Sequence, residues 1–191
     1  MDEMELATIF LISLGLAMDA LAVSLGIGTA GEIENTRGKI RLGAHFGIFQ
    51  SGMTALGWLG GNSLSYMLAA FDHWIAFGLL AYVGVNLWRA GLDSESRAFK
   101  QDPSTGRVLV MLSLATSIDA FAVGLSIAFM GIPVALTIVM IGMVTALLSL
   151  LGLFGGARLG ETFGKRMEML GGLILLAIGT RVLLAHLLSP G

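Results

Sequence analysis

The chain has no cysteine, only three prolines and few charges: 13% of its 191 residues are Asp, Glu, Lys or Arg. Without cysteine there are no disulfides and no thiolate metal centres. A soluble domain carries roughly 25% charged residues. A chain this poor in charge, with 55% hydrophobic residues, has more apolar surface than a water-soluble core of its size can take in. The composition points to lipid as solvent. Basic residues are missing from the N-terminus, which is acidic at Asp2, Glu3 and Glu5, so no cleavable leader is expected. An ATP-binding motif is also absent, which excludes a nucleotide-driven machine within this chain.

What the chain does have is long apolar runs. A helix needs about 20 apolar residues to cross a bilayer core of ~30 Å. Six stretches qualify, at about 6–27, 42–70, 74–92, 108–130, 133–157 and 169–188. The fourth and fifth are divided by Gly131-Ile132-Pro133 alone. The expected fold is therefore an all-α integral membrane protein of six transmembrane helices, arranged as two inverted three-helix repeats. Residues 1–92 form the first repeat, 93–107 a linker and 108–191 the second repeat.

Orientation follows from the basic residues. Arg37, Lys39, Arg41, Arg89, Arg97, Lys100, Arg107, Arg158, Lys165 and Arg166 all fall on one side, and loops 2–3 and 4–5 hold none. The positive-inside rule makes that side cytoplasmic, which puts both termini outside the inner (cytoplasmic) membrane and the linker inside it.

The repeat is visible in sequence. Residues 14–28 read LGLAMDALAVSLGIG and residues 114–128 read LATSIDAFAVGLSIA, with seven of fifteen positions identical, among them Asp19/Asp119, Ala20/Ala120, Ala22/Ala122 and Val23/Val123. Thr54-Ala55-Leu56 with Thr145-Ala146-Leu147, and Gly84 with Gly179, are weaker echoes. Each half has three spans, so the second enters the membrane from the opposite side. Transporters built this way hold their substrate near the midplane, at the repeat interface.

Asp19 and Asp119 each lie ~18–20 Å along their spans at ~1.5 Å rise per residue, a little past the middle of the bilayer core. A carboxylate at that depth costs about 2.5–3.5 kcal/mol on insertion scales and is tolerated facing a bundle interior or water. Gly15, Ala22 and Gly26 flank Asp19 at helical spacing, and Ala115, Thr116, Ala122 and Ser126 surround Asp119. Gly15, Ala22, Gly26, Ala115 and Ala122 are read as helix-crossing positions, because small residues let helices approach closely. A structural reading, in which each Asp only bonds a neighbouring helix, would account for one such residue better than for two at corresponding positions. Two carboxylates with hydroxyl and amide oxygens suit hard or borderline divalent cations. The candidate metal set is Asp19, Asp119, Gln50, Thr54, Asn86, Thr116 and Ser126, with Thr145 and Ser149 as further polar candidates on span 5. Arg181 is a counter-ion candidate. Met53 shares the face of Gln50 and Thr54, and a packing role is the simpler reading for it.

The motifs Asp19-Ala-x-Ala-Val-Ser, Ala115-Thr-Ser-x-Asp119-Ala-x-Ala-Val-Gly, Phe46-Gly-x-x-Gln50, Gly57-Trp58, Asp72-His-Trp-Ile-Ala-Phe77, Gly171-Gly172 and Ile178-Gly179 together resemble the MntP family of bacterial manganese efflux pumps. The resemblance runs through essentially the whole chain, in order. It implies Mn²⁺ export across the cytoplasmic membrane with the aspartates of spans 1 and 4 essential. Manganese is then substrate, and no cofactor is expected. The partners are a divalent metal ion and the lipid bilayer, with no nucleic acid. Exchange for protons at the two aspartates is the simplest coupling. An exporter of another divalent metal or of a small amino acid is the alternative. An intramembrane acid–base enzyme is a remoter one, because no nucleophile accompanies the carboxylates, and the chain is read as not an enzyme.

Overall fold

The computed structural model describes residues 3–68, 99, 101–130 and 132–163, with single helical positions at 81, 85, 88, 173 and 180. The described residues form five helices and no strand: α1 (Glu3–Thr29), α2 (Thr36–Leu68), α3 (Gly106–Ala115), α4 (Ile118–Met130) and α5 (Val134–Phe163). Apart from those single positions, the predicted third and sixth spans lie outside the described residues, and Asn86 and Arg181 with them.

Local chemistry sets the helix ends. Glu3 and Glu5 sit in the first turn of α1, where negative charge complements the helix dipole. At its far end Gly31 takes φ +64°. The Gly31 N–H then bonds the Gly28 carbonyl and the Glu32 N–H bonds the Ile27 carbonyl, a reversal that glycine makes without steric cost. The Asn35 side chain accepts from the Gly38 N–H and caps α2. Pro133 precedes α5, as expected from its lack of an N–H, and its carbonyl accepts from the Thr137 N–H and hydroxyl.

Among the described residues two helices, α1 and α5, are long and apolar enough to cross a membrane, and α3 with α4 makes a third span if the bent pair is counted as one. The helix α2 has 33 residues, enough length to cross, but is more polar.

The predicted fourth span is not one straight helix. It breaks at Thr116-Ser117, and its halves meet at 42°. With no water in a bilayer core, carbonyls released at a break need donors from the chain. The Thr116 N–H still bonds the Leu112 carbonyl, the Ser117 N–H turns to that of Leu114, and adjacent hydroxyls add further donors. The Thr116 hydroxyl donates to the carbonyls of Leu112 (3.1 Å) and Ser113 (3.2 Å), and the Ser117 hydroxyl to those of Ser113 (2.7 Å) and Leu114 (3.3 Å). The corresponding residues of α1, Leu16 and Ala17, carry no hydroxyl, and α1 runs unbroken.

Packing runs through glycine. A Cβ on Gly57 would strike the Phe121 carbonyl oxygen and lie 3.1 Å from the Gly124 Cα, and one on Gly124 would strike the Thr54 carbonyl oxygen, so α2 and α4 cross backbone to backbone. Likewise a Cβ on Gly152 would lie 2.9 Å from both the Leu21 carbonyl oxygen and the Ser24 Cβ, and one on Gly28 2.7 Å from the Leu153 carbonyl oxygen, which closes α1 on α5. Between α2 and α5, Gly47 and Gly142 meet each other's carbonyl oxygens at 2.5 and 3.1 Å by the same measure. Gly43 approaches the Ala146 carbonyl oxygen, and the Ser51 hydroxyl donates to that of Ile138 at 3.0 Å.

The described part of the linker does not stand off in solvent. Phe99 is buried with Ile33, Leu42, Leu109 and Leu112. The Arg41 guanidinium donates to the Ser104 carbonyl and, at 2.6 Å, to its hydroxyl, and it lies 3.8 Å from the Asp102 carboxylate. The linker is thereby tied to the start of α2.

Candidate functional site

Asp19 lies on the unbroken α1, half-buried. It sits at the edge of the face that carries Leu16, Ala20, Val23 and Ile27, all in the core. Asp119 is the second residue of α4, directly after the break, and is half-buried as well. Its carboxylate accepts from the Ala120 N–H at 2.9 Å. That placement follows from Thr116-Ser117: by ending α3 they make a new helix start, where amide N–H groups and the positive dipole end favour negative charge.

The two aspartate-bearing helices share a buried cluster. Leu16, one turn before Asp19, belongs with Ala120, Ile127 and Ile141, and Met53 and Val123 pack against the group. Gln50 joins the same region from α2. It is fully buried, and its amide nitrogen donates to the Leu16 carbonyl at 3.0 Å. Its Oε1 is buried with no partner among the described residues. Thr54 is fully buried one turn further on and donates to the Gln50 carbonyl at 2.8 Å.

Of the other predicted site residues, Thr116 spends its hydroxyl on α3 carbonyls and is buried at the break. Ser126 is exposed and donates to the Ala122 carbonyl at 3.1 Å. Ala22 packs against the core that α1 builds with α2 and α3. Gly26 is buried, Ala115 is half-buried, and Ala122 is exposed. Gly15 is exposed, and nothing lies within 4 Å of a Cβ placed there. The close backbone crossings among the described helices include Gly28, Gly47, Gly57, Gly124, Gly142, Gly152 and Gly156, and Gly15 is not one of them. Ser117 is a residue the sequence pattern does not single out. The adjacency of two hydroxyl residues inside an apolar run, just before Asp119, is the signal that marks it.

Among the described residues no three His, Cys, Asp or Glu come together as a metal-binding group. A divalent ion at this site would thus rely on the aspartates together with neutral oxygens. Such a donor set suits a hard or borderline cation held loosely enough to be released.

Residues 33–183 match the family model described as "Putative manganese efflux pump". Relatives named MntP under the same description include one from Syntrophotalea carbinolica, 45% identical over 187 residues, covering 97% of this chain and all of the relative. Another, from Citrifermentans bemidjiense, is 48% identical over 186 residues, covering 97% and 99%. A third, from the archaeon Methanosarcina acetivorans, is 42% identical over 185 residues with the same coverage. No solved structure is a significant match.

Proposed function

The chain belongs to the MntP family, and from that membership and the geometry above we propose that it exports Mn²⁺ across the cytoplasmic membrane through a site built on Asp19 and Asp119. The observation that carries this reading is the junction of the aspartate-bearing helices. Leu16 and Ala120, each beside or one turn from its aspartate, lie in one buried cluster, with Gln50 bonded across from α2. Two carboxylates match the charge of a divalent cation, and the amide and hydroxyl oxygens around them add neutral ligands. A proton is the natural exchange partner, since each carboxylate that releases the metal can take one up, and the sequence carries no ATP-binding motif.

We read the fold as an inverted repeat, which the crossings support, and place both termini outside from the asymmetry of the basic residues. If Leu21 and Ser24 correspond to Phe121 and Gly124, and Gly57 to Gly152, the meeting of Gly57 with Phe121 and Gly124 is the mate of that of Gly152 with Leu21 and Ser24. In the same register Gly43 with Ala146 is the mate of Ile138 with Ser51, and Gly47 with Gly142 is its own mate, as a two-fold axis requires. This register sets Gly47, Leu56, Gly57, Gly60 and Gly61 against Gly142, Leu151, Gly152, Gly155 and Gly156. It replaces the shorter echo of Thr54-Ala55-Leu56 with Thr145-Ala146-Leu147.

The test is export in a manganese-sensitised host. Asp19→Asn and Asp119→Asn should each abolish resistance, and Asp→Glu at either position should keep part of it at best, because the added methylene moves the ligand by more than a metal–oxygen bond accepts. Resistance retained in both Asn variants would refute the two-carboxylate site.

A further inference from the structure

Four buried side-chain oxygens have no hydrogen-bond partner among the described residues: Ser24 Oγ, Gln50 Oε1, Thr145 Oγ1 and Ser149 Oγ. In lipid such a group costs several kcal/mol unless something satisfies it. The usual remedy for a helical hydroxyl is its own helix, and this protein uses it widely. Ser13, Thr54, Ser113, Thr116, Ser117, Ser126 and Thr137 all donate to the carbonyl four residues back. Thr145 and Ser149 do not, although the carbonyls of Ile141 and Thr145 stand at the same spacing.

Their placement gives the reason. Thr145, Ser149 and Gly152 stand at i, i+4 and i+7 on α5, and Gly152 touches α1 at Leu21 and Ser24. On the adjoining face Gly142 and Ala146 touch α2 at Gly47. Thr145 and Ser149 therefore lie where α1, α2 and α5 meet. Gln50 enters the same junction, one turn along α2 from Gly47 and bonded to the Leu16 carbonyl of α1. The repeat register makes Thr145 the counterpart of Gln50, and Ser149 that of Thr54. Ser24 differs, because it sits at the crossing where Gly152 leaves no room even for a Cβ.

We propose that Thr145 Oγ1 and Ser149 Oγ, with Gln50 Oε1, are neutral oxygen ligands for the transported divalent cation, contributed by the second half as Gln50 and Thr54 are by the first. This rests on the aspartate site above and extends it. The carboxylates balance the charge of the ion, and the buried neutral oxygens replace part of its water shell and fill its coordination number. Two fully buried hydroxyls with no partner among the described residues, at the junction with the helix that carries Asp19, are available to such a ligand and not spent on their own helix.

Thr145→Val and Ser149→Ala remove the hydroxyls with little change of shape. In the purified protein the metal-free thermal midpoint should stay the same or rise, because an unsatisfied buried group is lost. The Mn²⁺ dissociation constant, measured by titration with MnCl₂, should rise about tenfold for each variant. Thr145→Ser keeps the hydroxyl and should keep the affinity, and Ser24→Ala should leave it unchanged. Wild-type Mn²⁺ affinity in Thr145→Val and Ser149→Ala would overturn the proposal. So would a lowered midpoint with affinity retained, which is the mark of a purely structural role. Asp19→Asn, measured alongside, separates the two readings: binding lost there but kept in the hydroxyl variants leaves the aspartate site standing and removes only this extension.

Discussion

Gly57 and Gly124 face each other across α2 and α4 with no space for a side chain, and the first atoms a Cβ would meet are carbonyl oxygens of the opposite backbone. A backbone cannot rotate away as a side chain can, so the helices would have to separate. Gly57→Ala or Gly124→Ala should therefore lower stability by about 1–3 kcal/mol, the usual range for overpacking, read as a fall in thermal midpoint in detergent. Gly52→Ala is the control: nothing lies within 4 Å of a Cβ there, and its midpoint should not fall. At this scale the aspartates were legible in sequence, because a carboxylate in an apolar run has few explanations. The partners of the polar residues were not. Thr116, Thr145 and Ser149 are alike as letters, yet one bonds its own helix and two do not. That difference is a matter of which neighbours hold each side chain, and residue type does not encode it.

The break between α3 and α4 belongs to the scale of elements. Composition marks the fourth span as uncharged from end to end apart from Asp119, and an uncharged, largely apolar run reads as one helix. At the break the Ser117 N–H bonds the Leu114 carbonyl in place of that of Ser113, and the hydroxyls of Thr116 and Ser117 both donate to the Ser113 carbonyl it leaves. Asp119 therefore stands at a helix start while Asp19 stands inside a helix, so the two carboxylates have unlike surroundings. Replacing Thr116 and Ser117 together by alanine removes the competing donors and restores a good helix former at each place. The expected outcome is a continuous helix through the break, seen as stronger hydrogen-exchange protection of the amides around Ile118, with membrane insertion intact and Mn²⁺ export reduced at least tenfold. Unchanged protection there would show that tertiary packing, rather than the hydroxyls, makes the bend.

For the whole molecule, the asymmetry of basic residues gives a direct test, and a chain without cysteine is a ready background for it. Cysteine introduced by Ser96→Cys in the linker should be shielded from an impermeant thiol reagent in intact cells, whereas Asp72→Cys between the second and third predicted spans should be labelled. The reverse pattern would overturn the orientation, and labelling of both positions from outside would overturn the inverted repeat. The sequence by itself determined that the chain is built of apolar helices, which family it belongs to, and that two aspartates interrupt its apolar runs, because hydropathy and charge act residue by residue and are read along the chain. Only the tertiary structure decided which glycines are crossings, that Phe99 and Ser104 fold back onto the core and Arg41, and which faces of α2 and α5 meet. The physical reason is that between apolar helices hydrophobicity does not discriminate one face from another. Close approach of backbones and the satisfaction of buried polar atoms do, and both depend on residues distant in sequence.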